Sequence, residues 1–334
     1  MTDEMRRREF LHRVGSAAAG GALVPVAWAA ESTPTADKAP VRTIKDLPTR
    51  RLGRVGIDVP LLSIGLAPMG HGFFEPEPFE RVTHAAIDAG IRYLDVAPVY
   101  DVAEDRLEPI LAKRRKEVFL VTKVWAKTRD DALRSVEQSL QRMGVEHVDL
   151  LHLHNVGQYT TEQALGKGGL LEGVLEAKKR GWTRHVGCTG HLRPRRLIPV
   201  IETGEMEVVM APMNFVDCHT YDFEKKLIPV ARKHKCAVVP MKVFGGLPSV
   251  WGGYKKREPG RLAGEAYHQW AIDYALSVPG VSTIVLGMKS LAELRQAIEA
   301  VRRHRPLEGE RRAEILTRGA ELAKEWGPRF GPVA

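Results

Sequence analysis

Along most of its length the chain alternates between two patterns. Short, almost continuously apolar runs are each followed by a longer stretch whose apolar residues recur at helical spacing. The eight runs are Leu61–Ala67, Tyr93–Val96, Val118–Val124, Val148–His154, His185–Thr189, Val208–Ala211, Ala237–Met241 and Thr283–Leu286. Unbroken apolarity, rather than alternation, is the mark of parallel strands buried on both faces. The amphipathic stretches between them are Phe79–Ala89, Asp105–Lys113, Asp130–Met143 and Leu170–Arg180. Four more follow at Arg195–Glu202, Glu224–His234, Glu265–Ser277 and Leu291–Arg302. Gly90, Gly144, Gly181 and Gly204 supply helix stops. Strict strand-then-helix alternation over eight units predicts an α/β fold of the (β/α)8 type, a TIM barrel. The alternative, a doubly wound sheet, needs a G-x-G-x-x-G turn after its first strand. Gly65-Leu66-Ala67-Pro68-Met69-Gly70 lacks the middle glycine and carries Pro in the turn. The segment Arg51–Pro60, turning at Val55-Gly56, is expected to form a hairpin across the barrel floor.

The start of the chain reads differently. Arg6-Arg7-Arg8-Glu9-Phe10-Leu11 has the form of a twin-arginine export signal, followed by an uncharged, Ala-rich stretch to Ala30. That stretch is too weakly apolar for a stable membrane span, and Ala27-Trp28-Ala29 offers a cleavage site. The expected organisation is a signal peptide over 1–29, a flexible lead-in over 30–46, and one barrel domain over 47–334. That domain has an N-terminal hairpin and a C-terminal helix. The reading implies the twin-arginine export machinery as a partner and a periplasmic or extracytoplasmic location. The competing readings are a basic N-terminus that stays attached and an ordinary cytosolic enzyme.

The composition, 44% hydrophobic and 27% charged, suits one large core. Cys188, Cys218 and Cys236 have no metal-ligand spacing, so no metal site and no disulfide framework is expected. The net charge of +9 is dispersed along helices without a basic groove, which argues against nucleic-acid binding.

Four residues carry the candidate chemistry. Asp95, Lys123 and His154 lie at the C-terminal ends of apolar runs, and Tyr100 follows Asp95 in the next loop. In a barrel these positions share the face that bears catalysis. A Tyr is a poor acid–base group near neutrality, with a free pKa of about 10. A cation nearby is expected to lower it, and Lys123 is the candidate, held charged by Asp95. His154 would orient a carbonyl oxygen, completing a proton-transfer relay. Singly, each has a bland reading: a loop cap, a surface contact, a strand-end lysine and a core histidine. Their common face gives them meaning together.

On these residues the chain resembles the aldo–keto reductase family, and RLGRVGIDVP and LAPMG look closer to its bacterial aldose-dehydrogenase-like branches. The resemblance spans Leu47 to Arg303 and rests on AGIRYLDVAPVY, LVTKVW and VDLLHLHN, with Glu104, Leu107 and Leu111 matching a further element. Ala103 and Pro109 depart from that element. The resemblance implies an NAD(P)(H)-dependent oxidoreductase that moves hydride between nicotinamide and an aldehyde, ketone or sugar. Asp95, Tyr100, Lys123 and His154 are its implied catalytic residues.

The resemblance also implies a cofactor site. Thr189 and Gly190 stand where the family holds the nicotinamide carboxamide with Ser-Asn, Met210 where it has Gln, and Met241 where a Tyr often stacks. Lys242, Phe244 and the Gly245-Gly246 turn fall where a pyrophosphate would lie, and Gly287, Lys289, Ser290 and Glu293 where the adenosine-side phosphate would meet a helix N-terminus. Lys289 favours NADP(H) over NAD(H), and Glu293 opposes it. Trp125, Phe73, Asn155 and Trp251 are the expected substrate contacts, with Phe74 beside them and residues 247–263 as a candidate lid. The rival reading is an exported barrel that has lost catalysis and binds a ligand or a partner, motivated by the altered carboxamide positions.

Overall fold

The computed structural model describes residues 47–249 and 254–334. The twin-arginine segment, the proposed cleavage site and Trp251 lie outside the described residues.

Two short strands come first: β1 (Thr49–Arg51) pairs antiparallel with β2 (Asp58–Pro60). Gly56 turns the hairpin in the left-handed region, at φ 84°. Eight parallel strands follow: β3 (Leu62–Gly65), β4 (Tyr93–Asp95), β5 (Phe119–Val124), β6 (Val148–Leu153), β7 (Thr183–Thr189), β8 (Val208–Pro212), β9 (Ala237–Met241) and β10 (Ile284–Leu286). They pair in chain order, β10 returns to pair with β3, and a parallel bridge between Val238 and Val281 links the two remaining edges. This is the expected (β/α)8 barrel.

The helices between strands are α1 (Pro76–Asp88), α2 (Ala103–Arg114), α3 (Arg129–Met143), α4 (Thr161–Leu165), α5 (Leu170–Lys179), α6 (Leu197–Glu202), α7 (Phe223–Lys233), α8 (Glu265–Ser277) and α9 (Leu291–Arg302). A further helix, α10 (Gly309–Trp326), follows the barrel. Local chemistry sets the ends. Thr128 caps α3 by accepting from the Asp131 N–H, and Gly144 closes it at φ 62°. The short α4, not expected from the sequence, starts on a Thr160–Gln163 capping box.

Strand residues divide by parity into two apolar layers. Leu94, Leu120, Leu151, Val186, Val209, Val238 and Ile284 face the helices and join the larger core. Tyr93, Phe119, Val121, Leu150, Val208, Met210, Val239 and Val285 form a separate interior cluster with Leu52, Val55 and Val59 of the hairpin. The hairpin therefore plugs the floor. A Cβ on Gly53 would meet the Ala237 backbone nitrogen at 2.6 Å, at the N-terminal end of β9. The opposite end is left for the site.

Candidate active site

The site begins where the inward parity of the strands runs out of apolar residues. Asp95 is the last residue of β4, Lys123 the penultimate residue of β5, and His154 the first after β6. All three are buried. Lys123 Nζ donates to Asp95 Oδ2 at 2.7 Å and to the Val96 carbonyl at 2.8 Å. Its ammonium also stands 4.8 Å from the centre of the Tyr100 ring. The Tyr100 and His154 rings meet edge to face at 6.4 Å, and Trp125 meets His154 the same way at 5.3 Å. The four residues read from three motifs thus converge, with Trp125 as a wall.

The electrostatics differ from the expectation in one respect. Burial, then the charge of Asp95, pushes the Tyr100 phenol well above its ordinary range. The Lys123 ammonium, bonded to Asp95 and the Val96 carbonyl, does not offset this shift. The phenol is therefore firmly protonated, the form a proton donor needs. Burial also pushes Asp95 up and Lys123 down, and their mutual attraction opposes both shifts. His154 is held neutral, first by burial and then by Lys123.

Neighbouring residues fix this geometry. Glu104 at the start of α2 is 1% exposed. It accepts from Thr122 Oγ1 at 2.7 Å and from Arg142 Nε and Nη2 at 2.9 and 2.6 Å, so it anchors β5 beside Lys123. Asn155 takes a left-handed φ of 56°. Its side-chain oxygen accepts from the His191 N–H at 3.0 Å, and its own N–H donates to Thr189 Oγ1 at 2.9 Å. The expected substrate contact is thus a buried brace between the loops after β6 and β7.

The expected cofactor residues fall in three places. Thr189 ends β7 and Gly190 follows it, where a Cβ on Gly190 would strike Leu197. Met210 and Met241 belong to the interior apolar layer. Lys242 has φ 54°, and its ammonium stands 3.4 Å from the Tyr254 hydroxyl. Phe244 stacks on His268 at 4.7 Å. At the start of α9, Gly287 packs against Pro68 and Ser290 caps the helix by accepting from the Glu293 N–H. Glu293 Oε2 accepts from the Lys289 N–H at 2.6 Å. The Lys289 ammonium is turned onto the carbonyls of Arg257 and Glu258, at 3.2 and 3.1 Å.

Beside the expected Phe73 the mouth also holds His71 and Arg106, which the sequence reading missed. Phe73 is 48% exposed and stacks on His71 at 5.1 Å. His71 in turn meets Tyr254 at 5.0 Å. Arg106 on α2 holds this loop by donating to the carbonyls of Met69 at 2.6 Å, His71 and Phe74. Nothing in the local pattern around Arg106 signals that task. Tyr254 lies within residues 247–263, the segment expected as a lid. Among the described residues no cluster of His, Cys, Asp and Glu is arranged to hold a metal ion, and no helix is long and apolar enough to cross a membrane.

Comparison with known proteins agrees with this fold. Residues 61–315 match the aldo/keto reductase family. The chain is 25% identical to the pyridoxal 4-dehydrogenase of Microbacterium luteolum, over 75% of this chain and 91% of the other. It is 24% identical to an oxidoreductase of Bacillus subtilis, over 79% and 94%. Its fold is similar to that of an aldo-keto reductase from Bacillus halodurans solved in its holo form. The TM-score is 0.67 at 22% identity, covering 81% of this chain and 96% of that one. The chain belongs to the aldo/keto reductase family and is an oxidoreductase on a (β/α)8 barrel.

Proposed function

We propose that this enzyme interconverts a small aldehyde, ketone or sugar carbonyl with its alcohol, with Tyr100 as the proton-transfer group. The observation that carries this is the convergence of Tyr100, Lys123, Asp95 and His154 at one mouth. A neutral phenol beside a neutral imidazole can donate two hydrogen bonds to one carbonyl oxygen. Lys123, fixed by Asp95, lies against the same ring and stabilises the phenolate left after proton transfer. Trp125, Phe73 and Tyr254 supply apolar walls of the kind that exclude water from a small carbonyl compound. The name of the Microbacterium relative, pyridoxal 4-dehydrogenase, supports the same class of reaction.

The family's use of nicotinamide nucleotides makes one the expected partner, and the donor set present fits it. The Thr189 oxygen already accepts from the Asn155 N–H, which leaves the hydroxyl proton for a carboxamide oxygen. Lys242 borders the Gly245-Gly246 turn, with Arg261 across it, and cations beside side-chain-free backbone suit a diphosphate. When bound, the nicotinamide supplies or takes the hydride. We propose NADP(H) rather than NAD(H), with Lys289 turning from its loop carbonyls to a 2′-phosphate. Twin-arginine export to the periplasm remains part of the proposal, supported by Arg6-Arg7-Arg8 ahead of Phe10-Leu11. Folded export would carry a bound nucleotide with the protein.

The direct test is Tyr100→Phe. Turnover of a carbonyl substrate should fall by about 10²–10⁴-fold while the dissociation constant for nucleotide stays within about twofold. Undiminished turnover would remove Tyr100 from the reaction.

A further inference from the structure

Beyond α10 the chain returns across the barrel mouth and lies on the Lys242–Gly246 turn. A Cβ on Gly245 would come within 2.7 Å of Trp326 Cη2, and one on Gly246 within 3.3 Å of Phe330 Cε1. Both glycines have positive φ, 73° and 69°. Neighbouring loops tie the segment down. Tyr221 donates its hydroxyl to the Gly331 carbonyl at 3.0 Å and accepts from the Phe330 N–H at 2.7 Å. The Arg193 N–H donates to the Pro332 carbonyl at 3.0 Å. The Trp326 ring lies near two guanidinium groups, 5.1 Å from Arg261 and 4.1 Å from Arg329.

From Arg329 a buried line of hydrogen bonds runs inward. Arg329 Nη2 donates to Asp217 Oδ2 at 2.9 Å, with the two side chains 7% and 2% exposed. Asn214 Nδ2 donates to the same carboxylate oxygen at 2.6 Å and to the Lys242 carbonyl at 3.0 Å. Asn214 is wholly buried, and its own oxygen accepts from the Val216 and Asp217 N–H groups. The line therefore ends on Lys242, a non-glycine residue in the left-handed region, which holds that conformation only where its surroundings impose it. Arg329 Nε and Nη1 are buried without a hydrogen-bond partner among the described residues. A desolvated guanidinium with one edge unmet makes a closure weaker than a fully satisfied pair.

We propose that Arg329 is a positioning residue for the nucleotide. The segment Trp326–Pro332 acts as a strap whose closure, through Asp217 and Asn214, sets the backbone at Lys242 and limits the rate of nucleotide exchange. This rests on the reading above that the Lys242–Gly246 turn meets the nucleotide's diphosphate. The strap covers one side of that turn. Residues 260–262 hold the other, through the Arg261 N–H to Gly246 and the Leu262 N–H to Phe244. Widening the turn to admit or release a diphosphate therefore requires the strap to lift.

The test follows NADPH release from the full-length protein by fluorescence, with NADH in parallel. Arg329→Ala should speed release about tenfold or more, and Arg329→Lys should recover most of the wild-type rate. Phe330→Ala loosens the strap without stranding Asp217, so it keeps the test open if Arg329→Ala does not fold. It should also speed release. Backbone hydrogen exchange at Gly245 should rise in both loosened variants, a readout that needs no nucleotide. A lower melting temperature with unchanged release and unchanged exchange at Gly245 would reduce Arg329 to a structural role and overturn the proposal. If the unaltered protein binds neither NADPH nor NADH, the nucleotide reading itself falls, and the strap's role in exchange falls with it.

Discussion

Lys123 and Asp95 form an ion pair at 2.7 Å in which neither side chain is more than 5% exposed. A charge pair so dry is rarely retained for stability alone, because desolvating two ions costs about as much as their attraction returns. Its position, with the ammonium against the Tyr100 ring, fits the proton-transfer role proposed for that site.

This separates stability from activity by experiment. Lys123→Met should destabilise the fold by about 3–5 kcal/mol, since it strands a buried carboxylate. The double change Asp95→Leu with Lys123→Met should recover most of that loss in urea unfolding. Turnover should stay abolished in both. Recovery of activity along with stability would mean that the pair serves only the fold.

Glu104 predicts a smaller and different effect. Glu104→Ala removes acceptors from both Thr122 and Arg142, and should cost about 2–4 kcal/mol in urea unfolding. Glu104→Gln keeps an acceptor for Thr122 and should lose about half as much. Turnover should fall only modestly in the Gln variant if β5 stays in register. A turnover loss as large as that of Lys123→Met would place Glu104 in the chemistry itself.

Glu224, near the start of α7, gives a pH dependence. Burial pushes its carboxyl up to about 7, against hydrogen bonds that include one from the Tyr274 hydroxyl. The folded state thus favours the protonated form. Its contribution is present below the unfolded carboxylate pKa of about 4.3 and is lost as pH rises through about 7. Glu224→Gln should therefore stabilise the protein at pH 8, by about 1–2 kcal/mol given the half-buried side chain, and do little at pH 4. Equal effects at the two pH values in thermal melts would contradict this.

Lys289 tests the nucleotide preference. If its ammonium turns to a 2′-phosphate, Lys289→Ala should raise the NADPH dissociation constant about ten- to a hundredfold and that for NADH much less. If it serves only to hold the carbonyls of Arg257 and Glu258, both nucleotides should be weakened alike. Titration with the two nucleotides decides between these outcomes.

The barrel was legible in the sequence because burial on both faces leaves a local trace. Unbroken apolar strands such as Val118–Val124, each followed by a helix, admit few other packings. Asp95, Lys123 and His154 stood out for the same reason, as polar side chains at the ends of otherwise apolar runs. Tyr100 was found through its motif. The hairpin floor was legible from its turn, while α4 was not, because its signal is a capping box and not a long amphipathic face.

What the tertiary structure alone decided are relationships across long separations in the chain. The bond from the His191 N–H to Asn155 and the bonds from Lys289 to the carbonyls of Arg257 and Glu258 span 36 and 31–32 residues of chain. Burial, which no motif records, and then the charge of Asp95 push the Tyr100 phenol well above its ordinary range. Arg329 meets Asp217 across 112 residues, on a segment whose composition carries no sign of the turn it covers. Hydrophobic periodicity is a local property and fixes which residues face inward. Hydrogen bonds and desolvation depend on distances in space, which are set only when the barrel closes.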